Sequence, residues 1–283
     1  MKKILIIGKD GMLGSELYQR LNNNNSYITQ GTTLENLDIC DNNKVLEVIN
    51  NFKPNYIINC AAYTNVDGCE SNVELANNVN GYAIKNLADA TNAVNATLIQ
   101  ISTDYVFNGN LSLDQIYTED MKTEPVNAYG VSKLIGEDNA KNAKKYYILR
   151  TAWLYGDGKN FVRTMLNLSK THNEINVVSD QFGSPTSTTT LCEIIEQILE
   201  KNPEYGIYHS TNEGFISWYD FARKIFEIKN INIKVNPISS KDYPTVAKRP
   251  FNSKLSKEKL HNIGIFPENY DIALKKYLEK ECI

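Results

Sequence analysis

A tyrosine and a lysine stand four residues apart in the stretch "NAYGVSKLIGE", residues 127–137, which otherwise reads as a helix. On a helix, residues at i and i+4 are neighbours, so Tyr129 and Lys133 can converge on one point. A nearby ammonium group lowers the pKa of a phenol from its ordinary value of about 10. Such a phenol is a usable acid for a carbonyl group that receives hydride. Taken alone, the spacing also fits a surface tyrosine beside a solvated lysine.

A second candidate for chemistry is the stretch "QISTDYVFNG", residues 100–109, in which an apolar strand ends in Ser102, Thr103 and Asp104. In an open parallel sheet, functional groups collect at the carboxyl ends of the strands. The Thr103 hydroxyl could there hydrogen-bond the carbonyl oxygen of a substrate. The alternative is that these three residues only form a turn.

Three glycines lie between the first apolar run and the first helical pattern, in "ILIIGKDGMLGSEL". A tight turn, a backbone that approaches a pyrophosphate and a helix N-terminus that favours an anion all suit Gly8, Gly11 and Gly14. The spacing is G-x-x-G-x-x-G, with one residue more than the G-x-G-x-x-G fingerprint. Because a strand precedes it and a helix follows it, we expect dinucleotide binding rather than a purely structural turn.

The nicotinamide cofactor is expected to be NADPH, with NADH left open. The fingerprint places an acidic residue on the ribose about 20 residues after the glycines. The candidate second strand, "SYITQGTT", ends without one, and Glu35 follows only after a gap. Lys9 in the glycine loop could face a 2′-phosphate, although a solvated loop lysine explains it equally well.

These groups must be positioned by alternating strands and helices. Runs that are apolar on both faces occupy residues 4–8, 56–63, 97–102 and 146–156, as expected for a parallel sheet covered on both sides. Helical spacing follows at residues 12–21, at 42–51 with Val45, Val48 and Ile49, and at 73–93. In the last of these the apolar stripe is Ala76, Val79, Ala83, Leu87 and Ala90. The pattern predicts an α/β fold with a Rossmann-like doubly wound parallel sheet.

The alternation of strand and helix patterns ends after residue 153. Turn formers there mix with aromatic residues, in "DQFGSPTSTTT" and "GFISWYDFA". We therefore predict a second, smaller α/β substrate domain. The dinucleotide-binding domain is expected to take residues 1–153 plus about 186–212. The substrate domain is expected to take about 154–185 plus 213–283.

Composition and charge limit the classes of partner that this chain is expected to bind. The 30 basic and 33 acidic residues give a formal charge of −3 without long runs of one sign, so neither nucleic acid nor a membrane surface is an expected partner. The chain starts without a signal-peptide pattern, and no apolar run approaches the ~18 residues that span a bilayer. We expect a cytoplasmic protein that acts on a small molecule.

Neither the cysteines nor the histidines suggest a metal site or disulfides. The five cysteines are an odd number without C-x-x-C spacing: Cys40, Cys60, Cys69, Cys192 and Cys282. His172, His209 and His261 are scattered and have no carboxylate or cysteine partners at ligand spacing. We interpret the compartment as reducing and the histidines as structural or surface residues.

Taken together, the motifs resemble the extended short-chain dehydrogenase/reductase superfamily and, within it, the family of dTDP-4-dehydrorhamnose reductases. The resemblance covers essentially the whole chain, and the stretches that carry it are "GKDGMLGSEL", "LDICD", "NCAAYTNVDGCE", "STDYVFNG", "NAYGVSKLIGE", "RTAWLYG" and "DQFGSPT". It implies NAD(P)H-dependent reduction of the C4 keto group of a dTDP-4-keto-6-deoxy sugar. The product would be dTDP-L-rhamnose, a donor for polysaccharide synthesis. A monomer and a homodimer are both open.

The resemblance also implies roles for individual residues. Tyr129 would be the general acid, Lys133 would hold the nicotinamide ribose and lower the pKa of the tyrosine, and Thr103 would orient the keto oxygen. Gly8, Gly11, Met12 and Leu13 would carry the pyrophosphate, Asp38 and Ile39 the adenine, and Ala61, Ala62 and Tyr63 the ribose side. The implied substrate contacts are Val66, Asp104, Tyr105, Trp153, Asn160, Gln181 and Arg249.

Several of these residues have a plainer explanation. Ala61 and Ala62 could be small strand residues, and Val66 a core side chain. Tyr105 and Trp153 could be core aromatics, Asp104 a turn cap, and Arg249 an exposed arginine.

Two other functions fit the sequence less well. Related 4,6-dehydratases place Asp-Glu after the strand-end threonine, whereas this chain has Asp104-Tyr105, and a neutral tyrosine is a poor replacement for a carboxylate base. The chain is also shorter than 4-epimerases commonly are. A noncatalytic regulatory subunit of the same lineage is disfavoured because Thr103, Tyr129 and Lys133 occur together.

Overall fold

The computed structural model describes residues 1–281. Its centre is a six-stranded sheet in which every neighbouring pair is parallel. The strands are β1 (Lys2–Ile7), β2 (Tyr27–Thr32), β3 (Tyr56–Asn59), β4 (Thr97–Thr103), β5 (Tyr146–Thr151) and, later in the chain, β10 (Gly206–His209). Their spatial order is β2-β1-β3-β4-β5-β10. The predicted doubly wound α/β fold is confirmed.

Helices cover both faces of this sheet. They are α1 (Met12–Asn22), α2 (Asn42–Phe52), α3 (Val66–Ser71), α4 (Val73–Ala76), α5 (Ala83–Ala93), α6 (Ala128–Ala140) and α8 (Thr188–Lys201). Side chains along a strand alternate between faces, so Ile4 and Ile6 of β1 join one buried cluster with α1 and α8, while Leu5 and Ile7 join another with α2 and α5. The continuous apolar run of β1 follows from burial on both sides.

The strand order reverses at β1, which has β2 on one side and β3 on the other. In open α/β sheets, ligands bind outside the carboxyl ends of the strands at such a switch point. The glycine loop follows β1 directly, and residues 60–62 follow β3. The topology therefore brings the two predicted cofactor segments to one place.

Most of the remaining elements form a smaller group with its own buried core around Val162, Phe221, Ile225 and Leu274. Helix α10 (Glu258–Asn262) packs against the central sheet, where its Leu260 joins the buried cluster of α1 and α8. The smaller group contains β6 (Leu154–Tyr155), α7 (Phe161–Ser169), β7 (Glu174–Val178), β8 (Phe182–Gly183), β9 (Thr186–Ser187), β11 (Ile216–Ser217), α9 (Trp218–Ile228), β12 (Lys234–Ile238), β13 (Asn252–Ser253) and α11 (Tyr270–Lys280). Its strands make three small sheets. The boundaries given above for the two domains stay a prediction.

Two elements of the structure differ in detail from those that the sequence predicts. The strand expected over 146–156 is interrupted after Thr151, because Trp153 takes a left-handed φ of 49° before β6 begins. The helix expected over 73–93 contains a π-helical turn at Asn77–Tyr82. A π turn holds more residues than an α turn and shifts the buried face. Val79 is therefore half-buried, and Asn80 is buried in its place.

In the described part of the chain, no helix is long and apolar enough to cross a membrane. The cysteines at 40, 60, 69 and 192 are unpaired. Cys282 lies outside the described residues.

Candidate active site

A crevice of about 460 Å³ opens at the carboxyl ends of the central strands. Tyr129 and Lys133 of α6 line it together with Thr103 at the end of β4. The structure brings nine further predicted site residues to its walls, namely Gly11, Met12, Leu13, Ala61, Ala62, Val66, Asp104, Tyr105 and Trp153. Motifs that are far apart in the sequence thus share one cavity.

The glycine loop has the geometry that a pyrophosphate requires. Gly8 has a φ of 79°, and a Cβ there would lie 2.9 Å from the Ala61 nitrogen, so the loop passes close to the segment after β3. Helix α1 begins after Gly11, and no side chain caps its first N–H groups. A helix N-terminus with free N–H groups favours an anion. These residues fit the diphosphate of a nicotinamide dinucleotide.

A Gly14→Ala substitution should disrupt this loop. The added Cβ would lie 2.0 Å from the Gly8 carbonyl oxygen, so loop or helix backbone must move. Overpacking of this kind typically costs about 1–3 kcal/mol, and we expect the Kd for NADPH to rise about tenfold or more. Fluorescence titration measures the Kd, and a parallel melting curve separates lost binding from unfolding. An unchanged Kd would contradict the assignment of this loop to the cofactor.

Inside the crevice, Tyr129 is half-buried and Lys133 is buried. Burial, and next the negative charge of Asp104, hold the pKa of Tyr129 well above its ordinary value, while a hydrogen bond with Thr103 opposes them. The Lys133 ammonium donates to the Ile101 carbonyl at 2.7 Å, and burial lowers its pKa to about 8. In these surroundings the pKa of Tyr129 is therefore raised and not lowered, because the phenolate loses solvation on burial and faces the charge of Asp104.

Thr103 and Asp104 are both buried beside Tyr129. The Thr103 hydroxyl donates to Asp104 Oδ1 at 3.0 Å and accepts from the Tyr105 N–H at 3.2 Å. Burial raises the pKa of Asp104 to about 6, although hydrogen bonds with Ser253 and Thr103 oppose the rise. In the described structure Asp104 Oδ2 has no partner. That oxygen can accept a hydrogen bond from a sugar hydroxyl at neutral pH.

Asn80, which no sequence pattern singled out, links the Tyr63 backbone after β3 to helix α6. Its Oδ1 accepts from the Tyr63 N–H at 2.7 Å, and its Nδ2 donates to the Tyr63 carbonyl and to the Ser132 hydroxyl, both at 3.0 Å. Ser132 in turn donates to the Tyr129 carbonyl at 2.7 Å. The π turn is what points this amide inward. Single π turns often occur at functional sites.

Beside Trp153, the wall of the crevice contains three residues that the sequence did not single out, namely Thr151, Lys159 and Trp218. Trp153 and Trp218 stack with ring centroids 3.5 Å apart, and Lys159 lies at the same wall. Thr151 lines the crevice beside Thr103, and its hydroxyl has no partner among the described residues. Its place at the end of an apolar strand was the available signal. Trp218 and Lys159 had none, because only the packing of the second group of elements brings them here.

Other predicted residues lie outside the crevice lining. Asp38 is exposed and accepts from the Cys40 N–H, whereas Ile39 is buried in the core beside Leu5. Asn160 caps α7 and donates to the Gly156 and Gly158 carbonyls. Gln181 donates to Ser240, Arg249 pairs with Asp67, and the Tyr63 backbone is held by Asn80. Their roles as cofactor or substrate ligands stay predictions.

The arrangement can hold a dinucleotide across the strand ends and place a phenol and a hydroxyl at a carbonyl group. A switch-point glycine loop together with Thr103, Tyr129 and Lys133 in one crevice defines a nicotinamide-dependent reductase of the short-chain dehydrogenase type. The family described as "RmlD substrate binding domain" matches residues 1–282. The chain belongs to this family.

Individual relatives agree with this membership. The chain is 41% identical to the dTDP-4-dehydrorhamnose reductase of Aggregatibacter actinomycetemcomitans, over 97% of this chain and 98% of that protein. It is similar to the crystal structure of a Clostridium acetobutylicum dTDP-4-dehydrorhamnose reductase, with a TM-score of 0.95, 44% identity and 98% of each chain covered. A Bacillus anthracis dTDP-4-dehydrorhamnose reductase in complex with NADP also gives a TM-score of 0.95, at 37% identity with 99% of each chain covered.

Proposed function

We propose that the protein reduces the C4 keto group of dTDP-4-dehydro-L-rhamnose to give dTDP-L-rhamnose, using NADPH or NADH. The observation that carries the proposal is the meeting of Thr103, Tyr129 and Lys133 in the crevice beside the glycine loop. The relatives named above support the identity of the sugar nucleotide. The bound nicotinamide supplies the hydride for C4.

Side chains of the protein protonate and orient the keto oxygen at C4. As hydride arrives at C4, the keto oxygen becomes an alkoxide, which is a far stronger base than a phenolate. Tyr129 is protonated at neutral pH even at the ordinary phenol pKa of about 10. Its raised pKa makes it a weaker acid, and it can still give its proton to a base as strong as the alkoxide. The Thr103 hydroxyl, which lies beside the phenol, orients the same oxygen.

Lys133 lies one helical turn after Tyr129 on α6 and lines the same crevice. With a pKa of about 8 its amine is mostly protonated at pH 7, so it places a positive charge near the phenolate that forms when Tyr129 gives up its proton. The same ammonium suits the hydroxyls of the nicotinamide ribose. Trp218, from the second group of elements, lines the crevice, and a ring at this position would cover the bound sugar and limit the access of water to C4.

The residue after Asp104 argues against a 4,6-dehydratase. That reaction needs a carboxylate base, and burial raises the pKa of Tyr105 to about 12. Tyr105 therefore stays neutral at physiological pH and serves as a contact surface for the sugar.

The assay that tests this function uses the purified full chain with dTDP-4-dehydro-L-rhamnose and either NADPH or NADH. We expect loss of the nicotinamide absorbance in step with formation of dTDP-L-rhamnose, and comparison of the two cofactors settles their order. Incubation with dTDP-glucose and NAD⁺ is the control for dehydratase activity, because that reaction begins with oxidation at C4 and needs the oxidised cofactor. Formation of a 4-keto-6-deoxy product from dTDP-glucose, or no oxidation of either cofactor, would overturn the proposal. The cytoplasm is the location that this biosynthetic role suggests.

A further inference from the structure

Asp67 and Arg249 form a contact between the two groups of elements at the edge of the crevice. Asp67 lies on α3, one residue after crevice-lining Val66, and Arg249 lies on the segment 247–250, here called the strap. An Arg249 Nη2 to Asp67 Oδ2 distance of 2.9 Å makes an ion pair. Asp67 Oδ1 also accepts from the strap at the Ala247 N–H, at 3.0 Å. One carboxylate thus binds the strap twice.

Capping of α3 does not explain Asp67. The side chain that accepts from the first turn of this helix is that of Asn65, which takes the Gly68 N–H at 2.9 Å. Both carboxylate oxygens of Asp67 instead face the strap. Asn127 adds a further anchor, because its Nδ2 donates to the Lys248 carbonyl at 2.8 Å while its Oδ1 caps α6. The strap is therefore held from α3 and from the start of the helix that carries Tyr129.

Tyr105 links the ion pair to Tyr129, because its ring contacts both Arg249 and Tyr129. The Arg249 guanidinium lies over the Tyr105 ring, 5.9 Å from its centroid. The Tyr105 ring meets the Tyr129 ring edge to face, with centroids 5.7 Å apart and an interplanar angle of 87°. Cation–π and edge-to-face contacts each favour a defined ring orientation. Both tyrosines line the crevice.

We propose that Asp67 is a positioning residue for the reduction: it holds Arg249 against Tyr105, and Tyr105 in turn fixes the ring of Tyr129. This inference rests on the proposed function for its kinetic test. It gives Arg249 a part in positioning, which differs from direct binding of the nucleotide diphosphate. The two roles predict different results for Asp67→Asn, namely a lower kcat with unchanged dTDP inhibition for positioning and stronger dTDP inhibition for diphosphate binding.

In the positioning role, Asp67→Asn and Arg249→Met each lower kcat about tenfold, within the up to hundredfold cost of a ~1 Å misplacement. The double variant costs no more than either single one, because both remove the same contact. Inhibition by dTDP and the Kd for NADPH stay near the wild-type values, and Asp67→Glu restores much of kcat. The control is Glu174→Gln, which removes the exposed pair with Lys234 and should leave kcat unchanged.

Two results overturn the inference in an active enzyme. One is a wild-type kcat for Asp67→Asn. The other is weaker dTDP inhibition in Arg249→Met together with stronger inhibition in Asp67→Asn, since Arg249 is then a diphosphate ligand and Asp67 its competitor. A wild-type protein that reduces no sugar nucleotide instead marks failure of the proposed function. A crystal structure of Asp67→Asn then still decides, because a Tyr105 ring that stays edge-on to Tyr129 contradicts positioning and a rotated ring supports it.

Discussion

A Tyr129→Phe variant is expected to lose about 10²- to 10⁴-fold in kcat, the range that a positioned general acid contributes. The ring remains, so its edge-to-face contact with Tyr105 is retained. What disappears is the only proton that the phenol can give to the alkoxide. Because the change removes an interaction made in the transition state, the Kd for NADPH should stay close to the wild-type value.

The matched control is Tyr82→Phe, since Tyr82 is 58% exposed and lies outside the crevice lining. It should retain the wild-type kcat. Stopped-flow measurement of a single turnover reports the chemical step directly and avoids masking by product release. Equal single-turnover rates in wild type and Tyr129→Phe would show that Tyr129 is not the general acid. That conclusion would hold for whichever sugar nucleotide the protein reduces.

The features that the sequence predicts best are those encoded by local patterns. The apolar run of β1 is buried on both faces, and the glycine loop and α1 follow it as their spacing indicates. The same holds for Thr103, which ends β4, and for the i, i+4 pair on α6. In each case a short stretch determines the element, and parallel topology then brings the strand ends together.

Features that depend on long-range packing could not be predicted from the sequence. Asn80 looks like a surface residue of an α-helix, and only the π turn buries it. Trp153 breaks a run that reads as one strand, because it takes a left-handed conformation before stacking on Trp218, 65 positions later. Spacing placed Lys133 near Tyr129 but carried no information on solvation. For that reason the direction of the tyrosine's pKa was predicted wrongly for the chain taken by itself.

A second large effect is expected on stability, and it rests on a buried ion pair that involves α6, the helix of Tyr129 and Lys133. Arg150 of β5 and Glu137 of α6 form a bidentate pair, with Nε to Oε1 at 2.9 Å and Nη2 to Oε2 at 2.8 Å. Both side chains are almost fully buried, at 2% and 0% exposure. Ser102 of β4 also donates to Glu137, at 2.6 Å. Glu137 lies one turn after Lys133, so the pair fastens the helix of the reacting groups to two central strands.

Arg150→Met should lower the free energy of unfolding by about 3–5 kcal/mol, because it leaves the Glu137 carboxylate buried without its charge partner. Urea denaturation at pH 7 measures this loss. Asp138→Asn is the control on the same helix, since its pair with Lys141 is exposed and contributes under about 1 kcal/mol.

Adding Glu137→Leu to Arg150→Met should recover part of the lost stability, since a buried ion pair can often be replaced by apolar residues at little cost. Such recovery would show that the single variant suffers from an unpaired charge rather than from lost volume. The double variant should still reduce sugar nucleotide poorly if the pair is needed to orient Lys133 as well as to hold the helix. A loss below about 1 kcal/mol in Arg150→Met would mean that water or another cation reaches Glu137, and that the helix is fastened by apolar packing instead.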